Sequence, residues 1–131
     1  MQSNNLNFEY SVTVRVQYLL NTPLKPLLSQ LNEHFVCTVH EPESQVLIFK
    51  TCGLDVDYID AYLVEMFDFL ERREKLLAPL FLQSIQNTMQ VYRRCEHFLA
   101  GMSFEKSHIE LLARLKINVI FIDESRTYQN N

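Results

Sequence analysis

The sequence predicts an α+β fold: a small ferredoxin-like (split βαβ) sheet with helices packed on one face, extended by a C-terminal helix and strand. Two observations lead to it. Apolar and polar residues alternate near the start of the chain, as in a strand, and apolar residues recur every three or four positions in the middle, as in a helix. The 131 residues, 47% of them hydrophobic, are enough for a single domain, 1–131, with a buried core.

The first half of the chain is predicted to supply three strands and a short helix. Residues 8–18 alternate apolar and polar side chains, which predicts a strand with one buried face. Residues 23–34 begin with a proline and continue with leucines at helical spacing, so we expect a helix there. Residues 35–40 and 45–51 are β-branched or aromatic and flank a turn, which predicts two further strands.

The middle of the chain is predicted to form one long helix over residues 56–78. We expect Asp55 or Asp57 to be its N-cap and Pro79 to break or kink it. The apolar residues that recur at helical spacing, and are expected to face the core, are Ile59, Tyr62, Leu63, Met66, Phe67, Leu70 and Leu77.

The last third of the chain contains one ambiguous segment and two clear ones. Residues 88–97 fit a strand or a helix, and their spacing slightly favours a helix. Ser107 and Glu110 have the spacing of a capping box, which predicts a helix over 104–115. The apolar run at 117–123 predicts a final strand.

The segment GMSFEKSHIELLARLKINVIFID, residues 101–123, resembles the C-terminal part of a bacterial family of small α+β domains of unknown function. In that family a strand leads through a turn of small residues to a helix with an LL..L pattern and then to a strand that ends in an acid. The resemblance covers roughly the last 75 residues. It implies a strand at 88–97, and it implies no activity.

Composition excludes several functional classes. The chain has two glycines, Gly53 and Gly101, so it cannot build a glycine-rich phosphate loop. A net charge of −4 disfavours binding to nucleic acid or to an anionic membrane, and no apolar run is long enough to span one. The first residues lack the features of a secretory signal, and the three cysteines are widely spaced. We therefore expect a soluble cytoplasmic protein with reduced thiols.

Two side-chain groups have residue types that could support chemistry. One is a set of metal-ligand types, and the other is a nucleophile, base and acid set made of Cys95, His97 and Asp123. The first set does not have zinc-finger spacing, and no sharp turn presents the second. We therefore predict a protein that is not an enzyme and uses no metal or cofactor, and a small metalloprotein or enzyme is the alternative. The metal-ligand types are His34, Cys37, His40, Cys52, Cys95 and His97.

A row of acids lies along the predicted long helix, opposite its apolar stripe. Like charges three residues apart mildly destabilise a helix, so this row is unusual for a solvated face. We predict that it docks a basic protein, as an immunity or antitoxin-like protein docks a toxin nuclease. The alternatives are ordinary solvation and a self-associating regulatory domain whose sheet face or edge forms a homodimer. The predicted partner-binding residues are Asp55, Asp57, Asp60, Glu65 and Asp68.

Overall fold

A five-stranded mixed sheet organises the chain in a computed structural model that describes residues 8–95 and 102–125. The strand order is β2-β3-β1-β4-β5, and all pairs are antiparallel except β4 with β5, which is parallel. The fold is therefore α+β, as predicted. The elements are β1 (Phe8–Gln17), α1 (Lys25–Leu28), β2 (Val36–Glu41), β3 (Val46–Thr51), α2 (Ile59–Arg72), α3 (Glu74–Gln83), β4 (Gln86–Cys95), α4 (Lys106–Arg114) and β5 (Ile117–Asp123).

The alternating pattern of β1 explains its central position. Val12, Val14 and Val16 are fully buried on one face, whereas Arg15 is exposed on the other. The buried valines share a single hydrophobic core with residues of all four helices. The helices therefore cover one face of the sheet, which we call the helix face, and the opposite face is called the open face.

Helix α2 supplies the largest part of the core. Met66, Phe67, Phe69 and Leu70 are fully buried, and the ring of Phe69 lies 5.1 Å from that of Phe49 on β3. Burial of these aromatic side chains is a major source of the fold's stability, since each removes a large apolar area from water. The residues opposite this buried side form the exposed side of α2.

The predicted helix over 56–78 is two helices, and the break is at Arg73 instead of Pro79, which lies inside α3. Arg73 has non-helical dihedral angles and donates hydrogen bonds to the Glu33 carboxylate at 2.6 Å and to the Asn32 carbonyl at 2.9 Å. These tertiary contacts favour a break earlier than the proline. The N-cap of α2 is Tyr58, so neither predicted aspartate occupies that position.

The predicted helix over 23–34 is a single turn, α1. The side chains of Ser29 and Gln30 both donate to the carbonyl of Pro26, at 3.0 Å each, and such local bonds compete with continuation of a helix. Leu24, Leu27 and Leu31 of this segment are nevertheless buried, and Leu28 is half-buried.

Residues 86–95 form a strand, β4. The apolar spacing that slightly favoured a helix here was therefore misleading. The strand that the family resemblance implied at 88–97 is confirmed for residues 88–95. β4 pairs along its whole length with β1 and, over the seven residues from Asn87 to Arg93, with β5. Pairing on both sides outweighs local spacing. The predicted residues 96 and 97 lie outside the described part of the chain.

The buried side chain of Asn87 connects the start of β4 to the end of α4. Its amide donates to the Phe81 carbonyl at 2.9 Å and to the Leu115 carbonyl at 3.1 Å, and the residue is 3% exposed. These bonds satisfy carbonyls at the ends of α3 and α4. Helix α4 begins after Glu105 instead of at the predicted Ser107 capping box, and β5 has the predicted bounds.

Cys37 and Cys52 form a disulfide, with their Cα atoms 6.1 Å apart, so the expectation of three reduced thiols is wrong for this pair. The hairpin explains the contact: Cys37 lies opposite Lys50, and the N–H of Cys52 bonds to the carbonyl of Phe35 at 3.0 Å. Residues 15 positions apart are thereby brought together. None of the helices in the described ranges is long and apolar enough to cross a membrane.

Candidate protein-docking surface

The loop between β3 and α2, residues 52–58, carries two of the five predicted acids. We call it the acidic loop. Asp55 and Asp57 are exposed, and so are the two apolar side chains beside them, Val56 at 42% and Tyr58 at 53%. A large exposed aromatic residue between carboxylates differs from an ordinary solvated loop, which needs no aromatic group.

Tyr62 of α2 fixes the acidic loop from below. Its hydroxyl donates to the carbonyl of Val56 at 2.9 Å and accepts the N–H of the same residue at 3.3 Å. The side chain is buried, and burial raises the pKa of Tyr62. The hydroxyl therefore stays protonated as a donor at neutral pH.

Tyr10 of β1 fixes the side chain of Asp57. Its hydroxyl donates to Oδ1 of Asp57 at 2.6 Å, and its ring lies 5.5 Å from that of Tyr62. Burial, followed by the hydrogen bond to Asp57, raises the pKa of Tyr10 well above its ordinary value. Two neutral tyrosines thus hold the loop and one of its carboxylates in place.

The other end of the acidic loop is fixed covalently. Cys52 is the first residue of the loop and is linked to Cys37 on β2. Gly53 follows with a φ of +76°, a conformation that a glycine adopts without strain. The loop is therefore anchored by a disulfide at its start and by Tyr62 at its centre.

Asp60, in the first turn of α2, is half-buried, and its Oδ1 is fully buried. It lines a cavity of about 100 Å³ together with Val64, Ser103, Glu105 and His108. Within the described ranges, neither Asp60 Oδ1 nor His108 Nδ1 has a hydrogen-bond partner. A polar cavity of this size can accommodate ordered water, which would satisfy both atoms.

The residues around this cavity, with His108 among them, were not predicted from the sequence as a cluster. Ser103, His108 and Asp60 are the residue types of a nucleophilic triad, but no hydrogen bond joins them in the part of the chain that the structure describes. The imidazole is stacked on Phe67 at 4.1 Å, and its Nε2 is 3.9 Å from the Glu105 carboxylate. The stacked ring has a structural role, since it completes the packing between α2 and α4.

Glu65 and Asp68 are half-buried on the exposed side of α2, close to Arg72. The pKa of Arg72 is raised first by its hydrogen bond with Glu33 and, less strongly, by the charges of Asp68 and Glu65. The charge of these two acids is thus partly balanced. The predicted row therefore divides into this pair and an N-terminal group of three acids. We call these three acids, together with the exposed apolar residues of the same segment, the acidic patch: Asp55, Val56, Asp57, Tyr58, Asp60 and Val64.

The described members of the predicted metal-ligand set do not converge, and His97 lies outside the described residues. His34 is exposed and packs edge-on against Phe35, and His40 Nε2 lies 2.6 Å from the hydroxyl of Tyr18. Cys37 and Cys52 form the disulfide, so neither provides a thiolate ligand. Across residues 8–95 and 102–125, no three histidine, cysteine or acidic side chains are placed to hold a metal ion.

The predicted nucleophile set is not assembled in the described residues either. Cys95 is buried at 1% exposure, and its backbone N–H donates to Ser125. Asp123 accepts a hydrogen bond from the guanidinium of Arg93 at 2.8 Å, so its carboxylate has a structural partner. The third member, His97, lies outside the described residues.

A second concave surface lies between α1 and α3, with a volume of about 400 Å³. Prolines and leucines from both helices dominate its lining, and it contains no titratable side chain. A mainly apolar groove of this kind can bind apolar matter.

Comparisons of the chain with protein-family models, with curated proteins and with solved structures found no match. The functional interpretation therefore depends on the geometry described above.

Proposed function

We propose that the protein is a non-enzymatic binding module that docks a basic protein through the acidic patch, as an immunity or antagonist protein covers a toxin such as a nuclease. The observation that carries this proposal is Tyr58. It is 53% exposed, directly after Asp57 in the sequence, on a loop fixed by Tyr10, Tyr62 and a disulfide.

The patch has the composition of an interface centre. Tyrosine is enriched among residues that dominate binding energy, because a large ring is buried at little cost in conformational entropy. Val56, two residues before Tyr58, is also exposed, and exposed Val64 lies one helical turn after Asp60 on α2. A partner that covers these side chains would gain apolar burial at the centre and charge pairing at the rim.

The charge of the patch determines the sign of the partner. Asp55, Asp57 and Asp60 give a local negative potential on a chain whose net charge is −4. Opposite charge on a partner accelerates association and disfavours acidic competitors. Because the loop is already fixed, little entropy is lost when it is covered. Glu65 and Asp68 extend this surface along α2, with part of their charge offset by Arg72.

The fold assignment and the location also belong to this proposal. The order β2-β3-β1-β4 with antiparallel pairing supports a ferredoxin-like split βαβ unit to which β5 is added. Membership of the bacterial family suggested by residues 101–123 stays a prediction. So does the cytoplasmic location, and the disulfide weighs against it because disulfides are typical of oxidising compartments.

The test uses a double variant, Asp55→Lys with Tyr58→Ala, and a control variant, Glu43→Lys, in the exposed β2–β3 turn. Asp57 is left unchanged because its substitution would remove the hydrogen bond from Tyr10. Each protein is immobilised and exposed to an extract of the native host, and retained proteins are identified by mass spectrometry. We expect a basic protein on the wild type and the control, with affinity for the double variant lowered roughly 100-fold.

Retention of the same proteins by all three forms, or of no basic protein by the wild type, would contradict the proposal. A further variant, Glu65→Lys with Asp68→Lys, separates the two halves of the row. We expect it to reduce affinity less than the Asp55 and Tyr58 double variant does. An equal or larger loss would place the binding centre on the C-terminal half of α2.

A further inference from the structure

Strand β5 ends the sheet with an exposed apolar edge. Val119, Ile120 and Phe121 are 37%, 49% and 48% exposed, and they are consecutive, so apolar side chains are exposed on both faces of the strand. Within the described ranges β5 pairs with β4 alone, and its outer backbone groups face no other strand. An edge of this kind offers unpaired N–H and C=O groups together with apolar area, which is a template for another strand.

The face of each side chain follows from the β4–β5 register. Val119 and Phe121 lie opposite Met89 and Val91 and are therefore on the helix face. Ile120 lies opposite Gln90 on the open face. Any strand that pairs with β5 must match this alternation to bury apolar groups on both faces.

When β5 is read antiparallel about Ile120, the pairs at its centre and at its two ends are complementary, while between them Asn118 faces Ile122 and Ile117 faces Asp123. A two-fold axis through that residue places Ile120 opposite Ile120 of a second copy, and Val119 opposite its Phe121. The same axis places exposed Lys116 opposite exposed Glu124 of the second copy, on both sides of the axis. Aromatic with β-branched pairs and oppositely charged pairs are the cross-strand contacts that stabilise sheets.

The neighbouring registers lack the opposite-charge pair. An axis through Val119 would place Lys116 opposite Ile122, and an axis through Phe121 would place Glu124 opposite Asn118. Of the three registers, the one about Ile120 alone combines apolar pairs at its centre with opposite charges at its ends. It also keeps the helices of both copies on the same side of one sheet.

We propose that the occupant of this edge is a second copy of the chain, joined β5 to β5 in the register about Ile120. The two five-stranded sheets then form one continuous sheet across the dimer. This interface is isologous, since each copy contributes the same strand. It lies on an element different from the acidic patch, so the two proposals stand or fall separately.

The first test is Ile120→Lys, which places two like charges directly opposite each other at the axis. The matched control is Val39→Lys on β2, the other edge strand, where Val39 is 45% exposed on the same open face. Sedimentation equilibrium of the full chain across a wide concentration range measures the dimer dissociation constant. We expect it to rise roughly tenfold or more for Ile120→Lys and to stay unchanged for Val39→Lys.

The second test determines the register. Lys116→Glu alone and Glu124→Lys alone each place like charges opposite one another and should weaken the dimer, while the double variant restores opposite charges and should recover it. Glu124 also accepts a hydrogen bond from Tyr92 at 2.9 Å, and the double variant lacks that bond too. Recovery therefore reports on pairing between copies. A wild type that is monomeric at every concentration, equal effects of the two lysine substitutions at 39 and 120, or no recovery in the double variant would overturn the proposal.

Discussion

The two edges of the sheet differ in chemistry. On β2, Cys37 is cross-linked to Cys52, His40 is bonded to Tyr18, and the strand ends at Glu41 before a proline. On β5, three consecutive apolar residues are exposed. Charged side chains and prolines at an edge are among the means by which proteins disfavour strand addition. The difference teaches that β5 is the edge better suited to pairing with another strand, and β2 the one less suited to it.

The largest expected effect concerns the β2 edge. Replacing both Cys37 and Cys52 by serine should lower the free energy of unfolding by about 3 kcal/mol, because a link across 15 residues restricts the unfolded chain. Urea denaturation measures the loss. Wild type in reductant should match the double variant, and the double variant itself should not respond to reductant. If reductant leaves the stability of the wild type unchanged, the disulfide does not contribute.

An intermediate loss of stability is expected for a substitution on β4, the strand next to β5. Asn87→Ala should lower the free energy of unfolding by about 1–3 kcal/mol, since it leaves the carbonyls of Phe81 and Leu115 without their donor in a buried site. Asn118→Ala, an exposed position on β5, is the control and should change stability by less than about 0.5 kcal/mol. Thermal and urea denaturation compare the two. Equal effects would mean that the Asn87 amide does not anchor α4 to β4.

The smallest effect depends on pH. The pKa of Glu33 is lowered chiefly by its hydrogen bond with Arg72, against the opposing effect of burial, and Arg73 adds to the lowering. A lowered carboxyl pKa contributes stability above the unfolded value of about 4.3, and this is lost as pH falls through the folded pKa. Glu33→Gln should therefore cost about 1–2 kcal/mol at neutral pH and nothing in strong acid.

The matched control for Glu33 is Glu74, the first residue of α3. Glu74 also has a lowered pKa, owing to its hydrogen bond with Arg114, which is 53% exposed, whereas Glu33 pairs in addition with Arg73, which is only 20% exposed. Glu74→Gln should therefore cost less than about 1 kcal/mol at neutral pH. Denaturation at several pH values measures both variants. A Glu33→Gln deficit that persists in strong acid would show that the carboxylate charge is not its cause.

Local pattern predicts much of this fold and little of its tertiary chemistry. The alternation in β1 and the apolar run of β5 gave strands at the expected residues. The pattern failed where distant groups decide: the break at Arg73 depends on Glu33, about 40 positions away, and β4 is a strand because it has two partners. A 3.6-residue period has no information about such contacts.

The candidate surface shows the same limit. The five acids were selected from their spacing in the sequence. That spacing did not predict that Tyr10 holds the carboxylate of Asp57, or that Arg72 partly balances the charge of Glu65 and Asp68. The hydrogen bond from Tyr10 to Asp57 spans 47 positions, and the disulfide joins two residues that the sequence had suggested only as reduced thiols in a set of metal-ligand types. The exposed Tyr58 could have been noticed earlier, because it stands between acids and outside the apolar stripe of α2.

The two edges also bear on how large an assembly can become. A chain with two pairing edges would polymerise, since each added copy presents a further edge to the next. β2 ends at Glu41 before Pro42, which disfavours strand addition there. Under the proposed pairing through β5 alone, each copy uses its one such edge, and assembly ends at two copies instead of continuing into a fibre.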